Sequence, residues 1–335
     1  MPGRLRRTSP DQPGWTRRRA GKGFVFLDEH GERLAAEDVQ RCRALVIPPA
    51  WREVWICPHP NGHLQAVGVD DAGRRQYLYH PRWVEQRAAE KHERVIGFAR
   101  RLPAVRDRVV EDLTADRLDR EVACAVAVRM LDLGCFRIGN DVYAEEYGSF
   151  GLTTLERRHV RRRGDALVFE FVGKSGIEHH VEIEDAAVIG VVERMRRRRS
   201  REDPGLLAFR EGRSWRPLTP ADVNDYLGEV SGVAATAKDF RTWHGTVLAA
   251  AALAEAPGPE ASATRRKRAV AGAMREVADF LGNTPALARS AYVDPRVIDA
   301  YDEGRTIRAA VRRSYPDPDA RQLALERATL RLLRG

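Results

Sequence analysis

The sequence predicts an α+β protein in which a small, antiparallel, β-rich N-terminal domain precedes a larger, mainly α-helical domain that carries a β-hairpin. Three observations lead to this fold class. Between residues 24 and 80, short β-favouring runs alternate with Gly, Pro, Asn and Asp, as strands joined by turns do. From about residue 82 onward, apolar residues recur at the spacing of amphipathic helices. One β-favouring stretch at residues 166–183 interrupts the helical pattern and predicts the hairpin.

Length and composition fit two folded domains in a reducing compartment. The chain has 335 residues, of which 43% are hydrophobic, enough for a sizeable core and too many for a disordered chain. No apolar run approaches the ~20 residues of a membrane span, and the N-terminus lacks the apolar stretch of a secretory signal. The four cysteines have neither CxxC spacing nor nearby histidine pairs, so we expect no structural metal, no disulfide framework and a cytoplasmic location.

The charge balance favours a polyanionic partner. Lys and Arg number 57 against 48 Asp and Glu, which gives a formal net charge of +9 and favours nucleic acid or acidic surfaces. Only five of the 57 basic residues are lysines. A lysine in this chain therefore stands where arginine is the usual residue, and its position is informative.

The N-terminal part divides into an arm and a sheet. Residues 1–23 are rich in Arg, Gly and Pro, and we expect them to form a flexible basic arm. The β-rich domain follows at 24–90, with one helix at 36–46. Its strands are predicted at 24–27, 54–57, 63–69 and 76–79.

Residues 91–335 are expected to form the helical domain. An amphipathic helix that begins near Trp83 should end at Pro103, because proline interrupts the hydrogen bonds of a helix. The next helix should end at Gly134. A short helix should begin at Thr284-Pro285, as N-cap and first residue, and end near Tyr292. Further helices are predicted at 185–199, 220–231, 240–255 and 265–281.

Arg137 is the first candidate for chemistry on a phosphate. It lies in Cys135-Phe-Arg-Ile-Gly-Asn140, just past a helix end and beside apolar residues that would bury its stem. A buried guanidinium binds phosphate oxygens well, because its planar fork donates two bonds and stays charged. The alternative is a structural ion pair with Asp141, Glu145 or Glu146.

Lys174 is the second candidate, at the tip of the predicted hairpin. Gly173 and Gly176 on either side let the backbone approach a ligand. A lysine acts as a general acid when nearby positive charge lowers its pKa, whereas an arginine does not release its proton. The alternative is an ordinary charged turn.

Two later segments complete the set. Lys238 and Arg241 enter a helix three residues apart, where a helix N-terminus and an adjacent arginine suit a phosphate. The alternative is a solvated basic face. Asn283 and Tyr292 flank the short helix, which is only about 10 Å long, so both could approach one phosphate. The alternative for Tyr292 is a packed or surface tyrosine.

Together and in this order, the segments FRIGN, FVGKSG, KDFRTWHGT and LGNTPALARSAY match the active-site layout of type IB DNA topoisomerases. The sequence resembles the compact poxvirus-like branch of this family found in bacteria, from about residue 24 to residue 300. The resemblance implies that the two domains form a clamp around DNA. It also implies relaxation of supercoiled DNA by transient cleavage of one strand, rotation and religation.

The resemblance assigns a role to each catalytic candidate. Tyr292 would attack a DNA phosphodiester, form a 3′-phosphotyrosyl link and release a 5′-hydroxyl. Arg137 and Arg241 would bind the non-bridging oxygens, and Lys174 would protonate the leaving 5′-oxygen. Asn283 departs from the family pattern, since many members have His there. Its amide donates a similar hydrogen bond but carries no charge.

The resemblance also implies DNA contacts and partners. Gln76, Tyr77 and Tyr79 match DNA-contacting positions of the family's β-domain, although one of the two tyrosines could instead pack inward. Lys238 would contact a phosphate. Such chemistry needs neither metal nor cofactor, and the chain has no nucleotide-binding GxxxxGK[ST] motif. We expect a monomer that binds double-stranded DNA, without a membrane, in the bacterial cytoplasm at the nucleoid.

Two other classes of protein remain open. A tyrosine recombinase or integrase shares the Arg, Lys, Arg and Tyr layout. Against it, Lys238 replaces the usual His of His-x-x-Arg, and the N-terminal domain is predicted to be β-rich. A non-catalytic architectural DNA-binding protein is favoured only by the absence of His at position 283. The presence of Tyr292 with both arginines opposes it.

Overall fold

The computed structural model of the protein describes residues 4–134, 136–139, 148–198, 204–258 and 260–334. The chain divides into two compact units, Met1–Lys91 and His92–Gly335. The first unit is built on an antiparallel sheet and the second is mostly helical, and each has its own apolar core. The predicted α+β fold class is therefore confirmed.

Five antiparallel strands form the sheet of the first unit, in the order β2-β1-β3-β4-β5. They are β1 (Trp15–Ala20), β2 (Gly23–Leu27), β3 (Arg52–Ile56), β4 (Leu64–Val69) and β5 (Arg75–Tyr79). Helix α1 (Ala36–Ala44) contributes Cys42 to a small core that also contains Phe26 and Ile56. The four strands and the helix predicted after residue 24 are confirmed.

Strand β1 corrects the expectation of a flexible arm over residues 1–23. It pairs with β2 across a tight turn, with Thr16 opposite Leu27. Arg17 donates three hydrogen bonds, at 2.8–2.9 Å, to backbone carbonyls between residues 47 and 51, and Trp15 packs against the core. Strand β1 was not predicted because it contains three consecutive arginines. A basic run predicts a solvated segment, and its pairing with β2 is visible only in the structure.

The second unit is built mainly from helices. Within the described residues, the helices after α1 are α2 (Pro81–Leu113), α3 (Arg120–Gly134), α4 (Ala186–Arg196), α5 (Pro220–Ser231), α6 (Ala237–Glu255), α7 (Ala263–Leu281), α8 (Pro285–Ala291), α9 (Pro295–Asp302), α10 (Arg308–Val311) and α11 (Pro318–Leu332). The predicted helix end at Gly134 and the short helix after Thr284 are confirmed. No helix in the described ranges has both the length and the apolar sequence to cross a membrane.

The prediction that the first long helix ends at Pro103 is wrong, because α2 continues to Leu113. A proline inside a helix costs about 3 kcal/mol. Leu102, Val105 and Val109 are all buried on the core side of α2, and burying such side chains stabilises by about 1.5–3 kcal/mol each. Packing on both sides of the proline therefore outweighs the local cost.

The β-structure of the second unit exceeds the predicted hairpin. Strands β7 (Ala166–Val172) and β8 (Glu178–Ile183) form that hairpin, as predicted. A further strand, β6 (Val160–Arg163), pairs with the other edge of β7. Strands β9 (Ala208–Glu211) and β10 (Ser214–Pro217) form a separate hairpin. The sequence analysis missed these three strands because they are short and rich in Arg or Glu.

Candidate active site

Arg137 lies in the loop after α3 and reaches the segment that follows α7. Its Nη2 donates hydrogen bonds to the backbone carbonyl of Gly282 at 2.8 Å and to the side-chain oxygen of Asn283 at 2.6 Å. The Nε of Arg137 and the Nδ2 of Asn283 are buried without a hydrogen-bond partner among the described residues. Both acceptors are neutral, so neither cancels the charge of the guanidinium.

Five residues named for this segment lie outside the described residues: Cys135, Asn140 and the alternative ion-pair partners Asp141, Glu145 and Glu146.

Arg241 lies beside Arg137, on the first turns of α6. It is only 4% exposed, and its Nη2 donates to the backbone carbonyl of Leu281. Its guanidinium carbon lies 5.4 Å from the ring centroid of Tyr292. Burial lowers the pKa of Arg137, and the positive charge of Arg241 lowers it further. Two guanidinium groups therefore converge on the C-terminal end of α7, next to the tyrosine.

Tyr292 directly follows α8, and its backbone is fixed by α6. Thr246 accepts through Oγ1 from the Asp294 N–H at 3.1 Å. Its one hydroxyl proton is shared between the Thr242 carbonyl one turn back, at 2.8 Å, and the Tyr292 carbonyl, at 3.2 Å. A Cβ placed on Gly245 would lie 3.2 Å from the same carbonyl, so α6 and Tyr292 are in close contact. One helix thus carries Arg241 and the residues that fix the backbone of Tyr292. The sequence analysis did not single out Thr246, because its partner is 46 residues away.

A cavity of about 230 Å³ lies at this convergence. Its lining includes Phe136, Arg137, His179, Arg241 and Gly282. His179 comes from β8 and was not singled out by the sequence analysis, which predicted only a strand there. His180 of the same strand lines it too, as do Glu178 and Asp279. The cavity, called the arginine cavity below, is therefore bordered by two arginines, two histidines and two acidic residues.

Lys174 occupies the turn between β7 and β8, as predicted, and is exposed. The described residues provide it with no hydrogen bond or ion pair, and Ser175 beside it has a φ of +66°. Gly173, directly before it, packs against the ring of His179. The structure thus places the turn, but not the Lys174 ammonium, beside the arginine cavity.

Lys238 lies in the first turn of α6 and is exposed, whereas Arg241 one turn later is buried. Asp239, the next residue, is buried; it accepts from the Thr236 N–H at 2.9 Å and pairs with Arg94 at 2.8 Å. Lys238 therefore points to solvent at the start of the helix, where a DNA phosphate could reach it.

Two of the three DNA contacts predicted for the first unit share a face. Tyr77 and Tyr79 stack on the edge strand β5, with ring centroids 6.2 Å apart, and are 47% and 40% exposed. The alternative that one of them packs inward is therefore wrong. Gln76 alternates with them along the strand and donates to Asp70 at 2.9 Å, which leaves it on the other face.

The basic residues at the start of the first unit are also positioned. Arg6 donates through its N–H to the carbonyl of Asn61 at 2.9 Å and accepts from the His63 N–H at 2.8 Å. The guanidinium carbon of Arg7 lies 5.9 Å from the centroid of the Trp83 ring, which in turn contacts His63. Part of the predicted arm is therefore held against the segment between β3 and β4.

Arg137, which donates to two neutral oxygens, and the buried Arg241 lie beside Tyr292 and form a site of two guanidinium groups and a phenol. Such a site is typical of enzymes that transfer a phosphodiester to a tyrosine. Comparisons with known proteins define the class further. Residues 80–312 match the family model described as eukaryotic DNA topoisomerase I, catalytic core. Residues 23–70 match bacterial DNA topoisomerase IB, N-terminal domain.

Individual relatives agree with these matches. DNA topoisomerase 1B of Acanthamoeba polyphaga mimivirus is 27% identical over 293 residues, which are 86% of this chain and 87% of the relative. DNA topoisomerase 1 of Rabbit fibroma virus (strain Kasza) is 24% identical over 70% of each chain. DNA topoisomerase 1B of Vaccinia virus (strain Copenhagen) is 28% identical over 34% of this chain and 36% of the relative.

The chain belongs to the type IB DNA topoisomerase family, because the catalytic-core model covers more than half of it. It is accordingly an isomerase that acts on DNA. The family resemblance drawn from the four motifs is confirmed. These matches favour a topoisomerase over the recombinase and the architectural protein that the sequence left open.

Proposed function

We propose that Tyr292 is the nucleophile with which this topoisomerase cleaves one strand of duplex DNA. The phenolic oxygen forms a bond to phosphorus, the bond from phosphorus to the 5′-oxygen breaks, and the phenol's proton passes to water. The product is a 3′-phosphotyrosyl link and a free 5′-hydroxyl. The observation that carries this proposal is the position of Arg241 over the Tyr292 ring, 5.4 Å from its centroid, beside Arg137.

Arg137 and Arg241 bind the non-bridging oxygens of the scissile phosphate in this proposal. Charge builds on those oxygens in the pentacoordinate transition state, and fixed donors in a partly buried site stabilise that charge strongly. The support is that the two hydrogen bonds of Arg137 go to neutral oxygens. Among the described residues, no carboxylate pairs with Arg137, so a phosphate in the site meets a guanidinium charge that these residues leave uncancelled.

Asn283 and Lys174 complete the chemistry. The buried Nδ2 of Asn283 lacks an acceptor among the described residues, and an unpaired buried donor costs about 1–3 kcal/mol. A phosphate oxygen would satisfy it. Lys174 gives a proton to the leaving 5′-oxygen, which its place on the turn next to the cavity supports. Religation runs these steps in reverse.

Neither ATP nor a metal is required by this sequence of steps. The phosphotyrosine keeps the energy of the phosphodiester, so the 5′-hydroxyl attacks it without an added energy source. Between the two transfers the cut duplex rotates and loses supercoils.

DNA contacts outside the cavity follow the same argument. Lys238 on the first turn of α6 contacts a backbone phosphate, and Gln76, Tyr77 and Tyr79 contact the duplex from the first unit.

We propose that the active protein is a monomer on double-stranded DNA, in the cytoplasm at the nucleoid. Sedimentation of the protein with and without a short duplex tests the monomer.

Relaxation of a negatively supercoiled plasmid in EDTA, without ATP, tests the proposal. The parent protein should relax the plasmid and Tyr292→Phe should not. Tyr315→Phe is the matched control, because that hydroxyl donates to the backbone carbonyl of Ala310 at 2.9 Å, and it should relax the plasmid like the parent. Full activity of Tyr292→Phe would remove Tyr292 as the nucleophile.

A further inference from the structure

His179 is a side chain of the arginine cavity to which the family layout gives no role. It lies on β8 directly opposite Phe171 on β7, and the two rings stack with centroids 5.0 Å apart. Phe171 stacks in turn on Phe136 at 5.9 Å, and Phe136 precedes Arg137 in the chain. A row of three rings therefore joins the hairpin to the loop that carries Arg137.

The imidazole is also wedged between two backbone segments of the proposed active site. A Cβ placed on Gly173 would lie 2.6 Å from its Cδ2 and Nε2, and one placed on Gly282 would lie 3.0 Å from its Cε1. Gly173 directly precedes Lys174, and Gly282 directly precedes Asn283. The ring thus touches the turn with the proposed general acid and the segment that accepts from Arg137.

The ring adds no charge to the site at neutral pH. Burial lowers the pKa of His179, and the positive charges of Arg137 and Arg241 lower it further. The imidazole therefore stays neutral beside the two guanidinium groups. Its contribution is shape and contact rather than attraction for the phosphate.

The position of the Lys174 ammonium depends on the turn that carries it. Its side chain is exposed and makes no hydrogen bond or ion pair with the described residues, so only the turn determines where its ammonium can reach. Proton transfer requires a heavy-atom distance of about 2.6–3.2 Å. A turn that shifts against the arginine cavity would break that geometry.

We propose that the imidazole of His179 positions the Lys174 turn against the segment of Gly282 and Asn283, so that the general acid and the phosphate-binding groups keep one geometry. This proposal rests on the proposed function of Lys174. His179 acts through the turn and is a positioning residue, since it need not touch the DNA.

The test uses a substrate that needs no general acid. A duplex is prepared in which sulfur replaces the bridging 5′-oxygen at a cleavage site mapped with the parent protein. A thiol has a pKa of about 8.5, so the thiolate leaves without a proton. Single-turnover cleavage of this duplex and of the ordinary duplex is compared for the parent, His179→Ala, His179→Gln, Lys174→Ala and Arg137→Ala.

His179→Ala should cleave the ordinary duplex about 10- to 100-fold more slowly than the parent, the range expected when a reacting group is misplaced by about 1 Å. On the sulfur-containing duplex it should recover the parent's rate, as Lys174→Ala should. Arg137→Ala should stay slow on both. His179→Gln keeps a flat, neutral group at this position and should retain most of the ordinary rate.

His180→Ala is the matched control on the same strand. His180 also lines the cavity, but its exposed side chain pairs with Glu170 at 3.2 Å, whereas His179 is the residue opposite Phe171. Loss of His180 should leave both rates unchanged. Equal slowing of His179→Ala on the two duplexes, or no slowing on either, would overturn the positioning role while Lys174 remains the acid. Failure of the sulfur to rescue Lys174→Ala would instead overturn the general-acid assignment.

Discussion

Two arginines of the second unit, Arg106 and Arg137, have opposite electrostatic surroundings. Arg106 on α2 donates to Asp132 at 2.7 and 3.0 Å and to Glu326 at 2.8 Å twice. Burial by itself would lower the pKa of Arg106, but its hydrogen bonds to Glu326 and Asp132 outweigh burial and raise that pKa well above its ordinary value. Arg137 donates to two neutral oxygens, and its pKa is lowered.

The difference separates a structural arginine from one prepared for a ligand. Removing Arg106 would take away the guanidinium that two buried carboxylates, Asp132 and Glu326, share, which is costly. Removing Arg137 leaves, among the described residues, a carbonyl and an amide oxygen, which are cheaper to leave unpaired. Helix α6 borders both, since His244 pairs with Asp132 at 3.1 Å only three residues after Arg241. The same helix therefore supports the stable ion-pair cluster and the proposed catalytic pair.

The largest expected effect comes from removing each of the two arginines in turn and comparing cleavage rate with stability. Arg137→Ala should slow covalent adduct formation by about 10²- to 10³-fold, as loss of one transition-state donor does, with little change in melting temperature. Arg106→Ala should lower the free energy of unfolding by about 3–5 kcal/mol. Below its melting temperature it should keep the parent's cleavage rate. Single-turnover cleavage and thermal unfolding of both variants provide the measurement, and a large rate loss in the Arg106 variant would contradict the comparison.

Asn283→Asp should give Arg137 the kind of partner that Arg106 has. A carboxylate at the 2.6 Å position of the amide oxygen would cancel the guanidinium charge and repel the phosphate. Cleavage should fall about 10²-fold, further than in Asn283→Ala, while the melting temperature stays equal to or above that of the parent. Equal cleavage rates for the aspartate and alanine variants would show that phosphate binding does not depend on the net charge of Arg137.

Thr246→Val tests how α6 holds the nucleophile. The change removes the hydroxyl that joins the Tyr292 carbonyl to the Asp294 N–H and should slow cleavage about tenfold, or 1.4 kcal/mol of activation free energy. Thr329→Val is the matched control, since that buried hydroxyl also donates to a carbonyl one turn back, at 2.9 Å. Both variants should lose about 1 kcal/mol of stability, but only the first should lose rate.

The smallest effect on chemistry is expected in the first unit. The combined change of Arg4, Arg6 and Arg7 to Ala removes three exposed positive charges. Backbone hydrogen bonds of Arg6 and the contact of Arg7 with Trp83 fix the position of this segment. The slope of log binding constant against log salt should become shallower by about 0.9 for each DNA phosphate that the variant no longer neutralises. The cleavage rate at saturating DNA should not change. An unchanged salt slope would show that this segment does not contact the duplex.

The sequence predicted local features of the site well. Gly134, the hairpin around Lys174 and the helix that begins at Pro285 were all found, because each depends on residues adjacent in the chain. The roles of Arg137, Lys174, Arg241, Asn283 and Tyr292 came from the resemblance and remain predictions.

Features that depend on distant partners were not predictable. Arg106 and Arg137 look alike in sequence, and the fold shows that Arg106 pairs with carboxylates whereas the described acceptors of Arg137 are neutral oxygens. Thr246 and His179 belong to the site through contacts with residues far along the chain. Strand β1 was hidden by its arginines until its pairing with β2 was visible. Side-chain chemistry suggested candidates, but burial and tertiary partners distinguish among them.

The central claim is that Tyr292 becomes covalently joined to the cleaved DNA strand, and one measurement tests this link most directly. The parent protein is mixed with duplex DNA, stopped with denaturant and digested with protease, and the DNA-linked peptide is sequenced by mass spectrometry. We expect a single adduct at Tyr292, joined to the 3′ end of the cleaved strand, and none in Tyr292→Phe. An adduct on another residue, such as Tyr301 or Tyr315, or a link to the 5′ end, would contradict the account.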